Sequence, residues 1–276
     1  MSRRLVVTAD DLGLGPRTNE AIVDLARQGR ITSTTLMPVA PGARDAARRV
    51  RAASLPDPRL HVTLTSAREL TPWRPLAGDV GSLTDAGGSF HVLPARVHGS
   101  AEPDHLRTEM RAQLAWMHAE GLRPQALDSH SGSLYGRRGM DSALRFCAEH
   151  SLGFRLPRRL PRLARAGMRG RLRRRYDQAV ATAHDLGLRL PETLVGAWLP
   201  GRLLVSYAHL RAHVLGQLRA IPDGVSELIL HPAPASAGRL LHPAEGRKRA
   251  WELRLLRDPE FRAVLRRERI GLVPAW

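Results

Sequence analysis

Four short apolar runs in this chain end on residues that a buried strand does not ordinarily tolerate. Leu5-Val6-Val7-Thr8 leads into Asp10-Asp11 and Gly13, and the run over 60–65 carries His61. The run starting at Ala126 ends in Asp128-Ser129-His130, and the run over 227–231 ends in His231 followed by Pro232. Burying an uncompensated polar or charged group is costly, so such endings belong where a strand meets a site or a partner. The full set of strand-like runs covers residues 5–8, 34–39, 60–65, 126–130, 153–156, 193–198, 227–231 and 270–273. Between them, residues 19–28, 43–53, 104–120, 141–150, 208–220 and 245–269 have helical periodicity. This alternation predicts an α/β fold, an irregular (β/α) barrel of seven to eight strands resembling a TIM barrel. A length of 276 residues suits one such barrel, and no linker or internal repeat divides it, so residues 1–276 read as a single domain. Two segments break the alternation. Residues 66–102, with their Pro and Gly, are too long for a plain connection and read as an insertion or lid beside the barrel mouth. Residues 158–175 form an arginine-rich excursion, either a basic helix pair or a mobile segment.

That excursion dominates the charge. The chain has 43 basic against 26 acidic residues, net +17, and every base except Lys248 is arginine. Ten of those arginines and no acid fall between Phe154 and Tyr176, so the remainder is only mildly basic. Nucleic-acid binders interleave such charge with stacking aromatics or carry a recognition motif. Aromatics here are 4% and no such motif is present, so no specific nucleic-acid partner is expected. The single cysteine, Cys147, excludes a disulfide framework and a thiolate metal cluster, and its helical setting marks it as a core residue. No apolar leader and no membrane-spanning run is present, so a cytoplasmic protein without a membrane span is expected.

In a β/α barrel the C-terminal ends of the strands converge on one face, where sites form. Neighbouring carboxylates at a strand end point in opposite senses unless the chain turns, so one can ligate a metal while the other stays free as a base. One Asp with two His is a common ligand set for a catalytic divalent metal. Each element alone has a plainer explanation. Asp-Asp-x-Gly also marks a turn or helix cap, a lone His61 is more often a satisfied polar group, and His231-Pro232 can simply end a strand. His91, His98, His105, His118, His150, His184, His209 and His213 fall in predicted loops or helices and read as surface, while His242 lies nearer the mouth. The joint pattern over four separate strand ends is what points to chemistry.

The segments VVTADDLGLGPRTNEAI, GRITSTTLMPVAPGARDAA, LHVTLTS, WRPLAGDVGSLTDAGGSFH, LRTEMRAQL, LDSHSGSLYG, SELILHPA and RAWELRLLRDPEFRAVLRRERIGLV run in order from about Thr8 to Val273. With them the chain resembles the YdjC-like carbohydrate deacetylases, a family that includes chitooligosaccharide deacetylases and a hopanoid-biosynthesis branch. The resemblance implies a metal-dependent hydrolase that removes the acetyl group from an N-acetylated sugar, oligosaccharide or glycolipid. It places Asp11, His61 and His130 on the metal, Asp10 as general base, His231 near the leaving group and Arg155 as the residue orienting a carboxylate. Family association implies magnesium, ligand softness favours zinc, and manganese or cobalt also fits such a set. Ser131-Gly132-Ser133 replaces the further histidines that often follow the fourth-strand motif, so chitooligosaccharide specificity does not carry over. A metal-dependent hydrolase of another ester or phosphoester bond and a non-catalytic basic glycan-binding barrel are the alternatives, and a homodimer is allowed.

Overall fold

Near-continuous apolar runs are the mark of parallel strands covered on both faces, and here they become eight of them. The computed structural model describes residues 2–66, 72–240 and 242–276. Its strands are β1 (Arg3–Leu12), β2 (Ser33–Leu36), β3 (Arg59–Val62), β4 (Ala126–Ser129), β5 (Gly153–Phe154), β6 (Leu194–Gly196), β7 (Gly224–Leu230) and β8 (Gly271–Leu272). The helices are α1 (Pro16–Arg27), α2 (Ala43–Ala52), α3 (Pro94–Ser100), α4 (Pro103–Ala119), α5 (Arg137–Glu149), α6 (Arg162–Gly167), α7 (Gly170–Asp185), α8 (Tyr207–Leu218), α9 (Pro243–Arg257) and α10 (Pro259–Arg267). The sheet order is β5-β4-β3-β2-β1-β7-β6, all pairs parallel, with β8 beside the start of β1. The sheet curls into a half-barrel. Its open side, between β5 and β6, is bridged by Phe154 N–H to Arg189 O (3.0 Å), Arg158 N–H to Pro191 O (2.9 Å) and Arg159 N–H to Glu192 O (2.8 Å).

Two expectations change. The first strand runs on to Leu12, so Asp10 and Asp11 belong to the strand and do not follow it. The helix expected over 245–269 is two helices, because Pro259 cannot continue the first and suits the first turn of the second. Asp258 completes that break as N-cap, its Oδ1 accepting from Glu260 N–H at 2.9 Å. The arginine-rich excursion holds a helix pair, α6 and α7.

Within the segment expected as an insertion or lid, residues 67–71 lie outside the described residues. The remainder is tied down: Trp73 and Phe90 are buried, and Glu109 of α4 accepts from Leu76 N–H (3.1 Å) and Ala77 N–H (2.8 Å). Cys147 is buried in α5, as its helical setting implied. No described helix is long and apolar enough to cross a membrane.

Candidate active site

At the mouth of the barrel, β1 departs from strand geometry. Asp11 has φ 68°, and the pairing of β1 with β2 shifts register between Ala9 and Leu12. A non-glycine residue in that left-handed region costs on the order of 1–3 kcal/mol and persists only where its surroundings hold it. The turn continues through Gly13 (φ 105°), where an added Cβ would lie 3.1 Å from Met37 O. The kink breaks the alternation of side chains, so both carboxylates are buried among site residues but meet different partners.

Asp11 faces imidazoles. Its Oδ1 lies 3.3 Å from His61 Nε2 and 3.4 Å from His130 Nδ1, and its Oδ2 lies 2.7 Å from Arg249 on α9. His61 is paired in register with Asp128 on the next strand, and their side chains join through Nδ1 and Oδ1. That bond fixes the ring so that Nε2 is the nitrogen turned to Asp11, the arrangement in which a carboxylate orients a metal-binding histidine. His130 sits where β4 breaks into a turn with Ser131 (φ 51°) and Gly132 (φ 69°), and Trp73 lies beside its ring at 6.1 Å between centroids.

Asp10 faces guanidinium. Arg155, from the segment after β5, donates Nη1–H to Asp10 Oδ2 (2.7 Å) and Nη2–H to Oδ1 (2.9 Å), and Thr35 Oγ1–H adds a bond to Oδ1 (3.0 Å). Arg155 also lies 2.9 Å from Asp128 Oδ2 and 2.8 Å from Glu227 Oε1. Glu227 in turn takes Arg59 from β3 and Thr8 Oγ1–H (2.7 Å). His231, just past β7, places Nε2 3.9 Å from Asp10 Oδ2. Glu252 of α9 accepts the His231 backbone N–H at 2.6 Å.

The protonation pattern follows from these contacts. Burial opposes charge on Asp10, but Arg155, with His61 and His231 beyond it, holds the carboxyl well below the usual range. Burial likewise opposes charge on Asp11, and Arg249 with the two imidazoles holds that carboxyl low. His61 is driven the other way: burial would lower it, but Asp128 and Asp10 raise it to about 10. Burial pushes His231 down to about 4, with Asp11 opposing that shift and Arg249 adding to it. Burial also pushes Glu252 up to about 7, against the pull of Lys248.

A divalent cation fits one of two candidate triples. Asp11, His61 and His130 bring ligand atoms within 4.8 Å of one another, as do Asp10, His61 and Asp128. In the second triple His61 Nδ1 is already bonded to Asp128, and Arg155 neutralises both carboxylates. The first has donors to spare: neither Asp11 Oδ1 nor His130 Nε2, both buried, has a hydrogen-bond partner.

A sequence model of the YdjC-like protein family matches residues 4–267. The chain belongs to the YdjC-like family. A carbohydrate deacetylase of Mus musculus is 30% identical over 98% of this chain and 93% of its own length. One from Brevibacillus brevis is 26% identical over 98% and 97%. A chitooligosaccharide deacetylase of Proteus mirabilis is 33% identical over 47% of this YdjC-like chain and 49% of its own. Among solved structures, an Enterococcus faecalis V583 protein with a proposed role in cellobiose-phosphate cleavage superposes with TM-score 0.76 at 20% identity, covering 99% of this chain and 97% of that one. The catalytic domain of a peptidoglycan N-acetylglucosamine deacetylase from Eubacterium rectale superposes with TM-score 0.51 at 9% identity, covering 100% and 90%. These two structures share the fold of the YdjC-like chain.

All six residues singled out from the sequence, Asp10, Asp11, His61, His130, Arg155 and His231, meet at this mouth in the YdjC-like barrel. His242 does not; it is exposed and caps α9, its Nδ1 accepting from Ala244 N–H at 3.3 Å. His91, His105 and His213 are half-buried, not surface residues, and none joins the site. Sequence reasoning assigned no role to Asp128 and passed over Glu227, Arg59, Arg249 and Glu252. The available signal was a glutamate beside the apolar run Leu228-Ile229-Leu230, which needs a partner if it is buried.

Proposed function

We propose that the protein is a metal-dependent carbohydrate deacetylase that hydrolyses the N-acetyl group of an N-acetylated sugar, oligosaccharide or glycolipid. The observation that carries this reading is the Asp11–His61–His130 triple beside an Asp10 gripped by Arg155, in a chain of the YdjC-like family. When bound, a divalent cation polarises the acetyl carbonyl and acidifies water beside it. Asp10 is ionised at neutral pH and takes the proton of the attacking water, while Arg155 and Thr35 hold its oxygens in place. A carboxylate held so far below its usual range keeps a proton poorly, which suits it to passing the proton on. His231 is neutral at pH 7 and must gain a proton before it can give one to the departing amine. Asp10 Oδ2, 3.9 Å from His231 Nε2, is the nearest source. His61, with Nδ1 bonded to Asp128, and His130 would supply the cation's nitrogen donors.

The test is acetate release from a panel of N-acetylated sugars, using protein stripped of metal and then reloaded. Activity restored by one divalent ion supports the reading; full activity in stripped protein overturns it. Metal content of the purified protein decides between magnesium, which the family resemblance implies, and zinc, which two imidazole donors favour.

A further inference from the structure

β7 ends at Leu230, and its last pairs, Ala9 with Leu230 on the β1 side and Gly196 with Ile229 on the β6 side, stop short of His231. The sheet therefore does not hold the residue proposed to serve the leaving group. What holds it is α9. The His231 backbone N–H donates to Glu252 Oε2 at 2.6 Å, and Ala233 N–H donates to Arg249 O at 3.3 Å. Pro232, between them, has no N–H to offer. The His231 ring is set between two carboxylates. Its Nε2 is 3.9 Å from Asp10 Oδ2, and its Nδ1 is 4.0 Å from the same Glu252 Oε2 that takes the backbone N–H.

Packing alone does not account for Glu252. The other buried residues of α9 are Gly246, Leu253, Leu255 and Leu256, and Glu252 sets a carboxylate with no solvent exposure among them. Its Oε1 has no hydrogen-bond partner, and Lys248, one turn back along α9 and the single lysine of the chain, stands 3.9 Å from it. A buried carboxylate half satisfied in this way costs stability, and an apolar side chain of similar volume would cost less. What the carboxylate supplies that leucine could not is the contact with His231. Either protonation state leaves Oε2 able to accept the N–H.

We propose that Glu252 is a positioning residue for His231: it moors the segment just past β7 to α9 and keeps the imidazole with Nε2 toward Asp10. The kinetic consequence rests on the deacetylase reading above; the mooring itself does not.

The test compares Glu252→Gln, which can still accept the backbone N–H, with Glu252→Leu, which cannot. In crystal structures of the two, His231 should keep its place in the Gln variant and should shift or split into alternate positions in the Leu variant. This arm reads the mooring whether or not acetate is released, and an unmoved His231 in Glu252→Leu overturns the proposal. In acetate release from an N-acetylated sugar, Glu252→Leu should lower kcat about tenfold or more, because small misplacements of a reacting group are costly, with KM and bound metal unchanged. Glu252→Gln should recover most of that loss. On a His231→Ala background Glu252→Leu should cost nothing further, since Glu252 acts through that side chain. Wild-type kcat in Glu252→Leu, or an equal loss with and without His231, overturns the proposal as well. A wild type that releases no acetate counts against the deacetylase reading alone. Should the melting curve show that the Leu variant does not fold, Glu252→Ala takes its place in both arms.

Discussion

Arg155 and the arginines of α7 are the same residue type in opposite circumstances. Arg155 has a side chain 4% exposed and touches Asp10, Asp128 and Glu227. Arg169 at the N-cap of α7 and Arg171, Arg174 and Arg175 within it are exposed, and only their neighbour Arg173 pairs along the helix, with Asp177 at 2.9 Å. The surface group adds to the net charge, but exposed ion pairs contribute only about 0–1 kcal/mol. The buried arginine adds one unit to that charge and organises the site. Total charge therefore says little about what this chain does; the location of compensated charge says a great deal.

The comparison breaks most easily at Arg155. Arg155→Ala leaves three buried carboxylates short of a partner and should cost about 3–5 kcal/mol of stability, measured by urea unfolding, together with deacetylation. A loss below 1 kcal/mol would place Arg155 with the surface arginines. Asp10→Asn should keep the fold and metal, measured by equilibrium dialysis, and lower kcat by about 10²–10⁴-fold. Asp11→Ala and His130→Ala should instead lose the metal.

Smaller effects come from pH. Asp10, Asp11 and Glu227 are held below their ordinary values, so their contribution to stability is present above the unfolded carboxylate range of about 4 and is lost as pH falls through the folded values. Glu252 has the opposite sign. Its folded value of about 7 lies above the unfolded one, so its contribution is complete at low pH and is lost as pH rises through 7. Stability followed by urea unfolding between pH 5 and 8 should fall relative to Glu252→Gln, and parallel curves would refute this. The smallest effect belongs to α7: Arg171→Gln, Arg174→Gln and Arg175→Gln should each stay within about 0.5 kcal/mol of wild type in the same measurement.

Much of this was legible in the sequence, because strand ends carry side chains that apolar runs otherwise exclude. Asp10, Asp11, His61, His130 and His231 stand out for that reason. The β/α alternation was readable because helical and strand periods differ. Arg59 and Glu227 were not readable as a pair: 168 positions separate them, and each alone looks like a strand edge. Arg249 and Glu252 lie in a long polar helix where nothing local marks them as inward-facing. The break at Pro259 was written plainly, as an Asp-Pro-Glu start inside a helical period. Asp11's positive φ left no local mark, since Asp is common at ordinary strand ends too.

The chain of contacts Arg59–Glu227–Arg155–Asp10 means that this barrel does not separate the atoms that keep it folded from those that would act on substrate. A lineage released from selection for turnover that discarded Asp10 or Asp128 would remove one of the three buried carboxylates that hold Arg155. Each further loss would weigh more on folding than the one before it. Decay of such a site is epistatic, with folding acting as a purifying filter on residues whose first use is chemical.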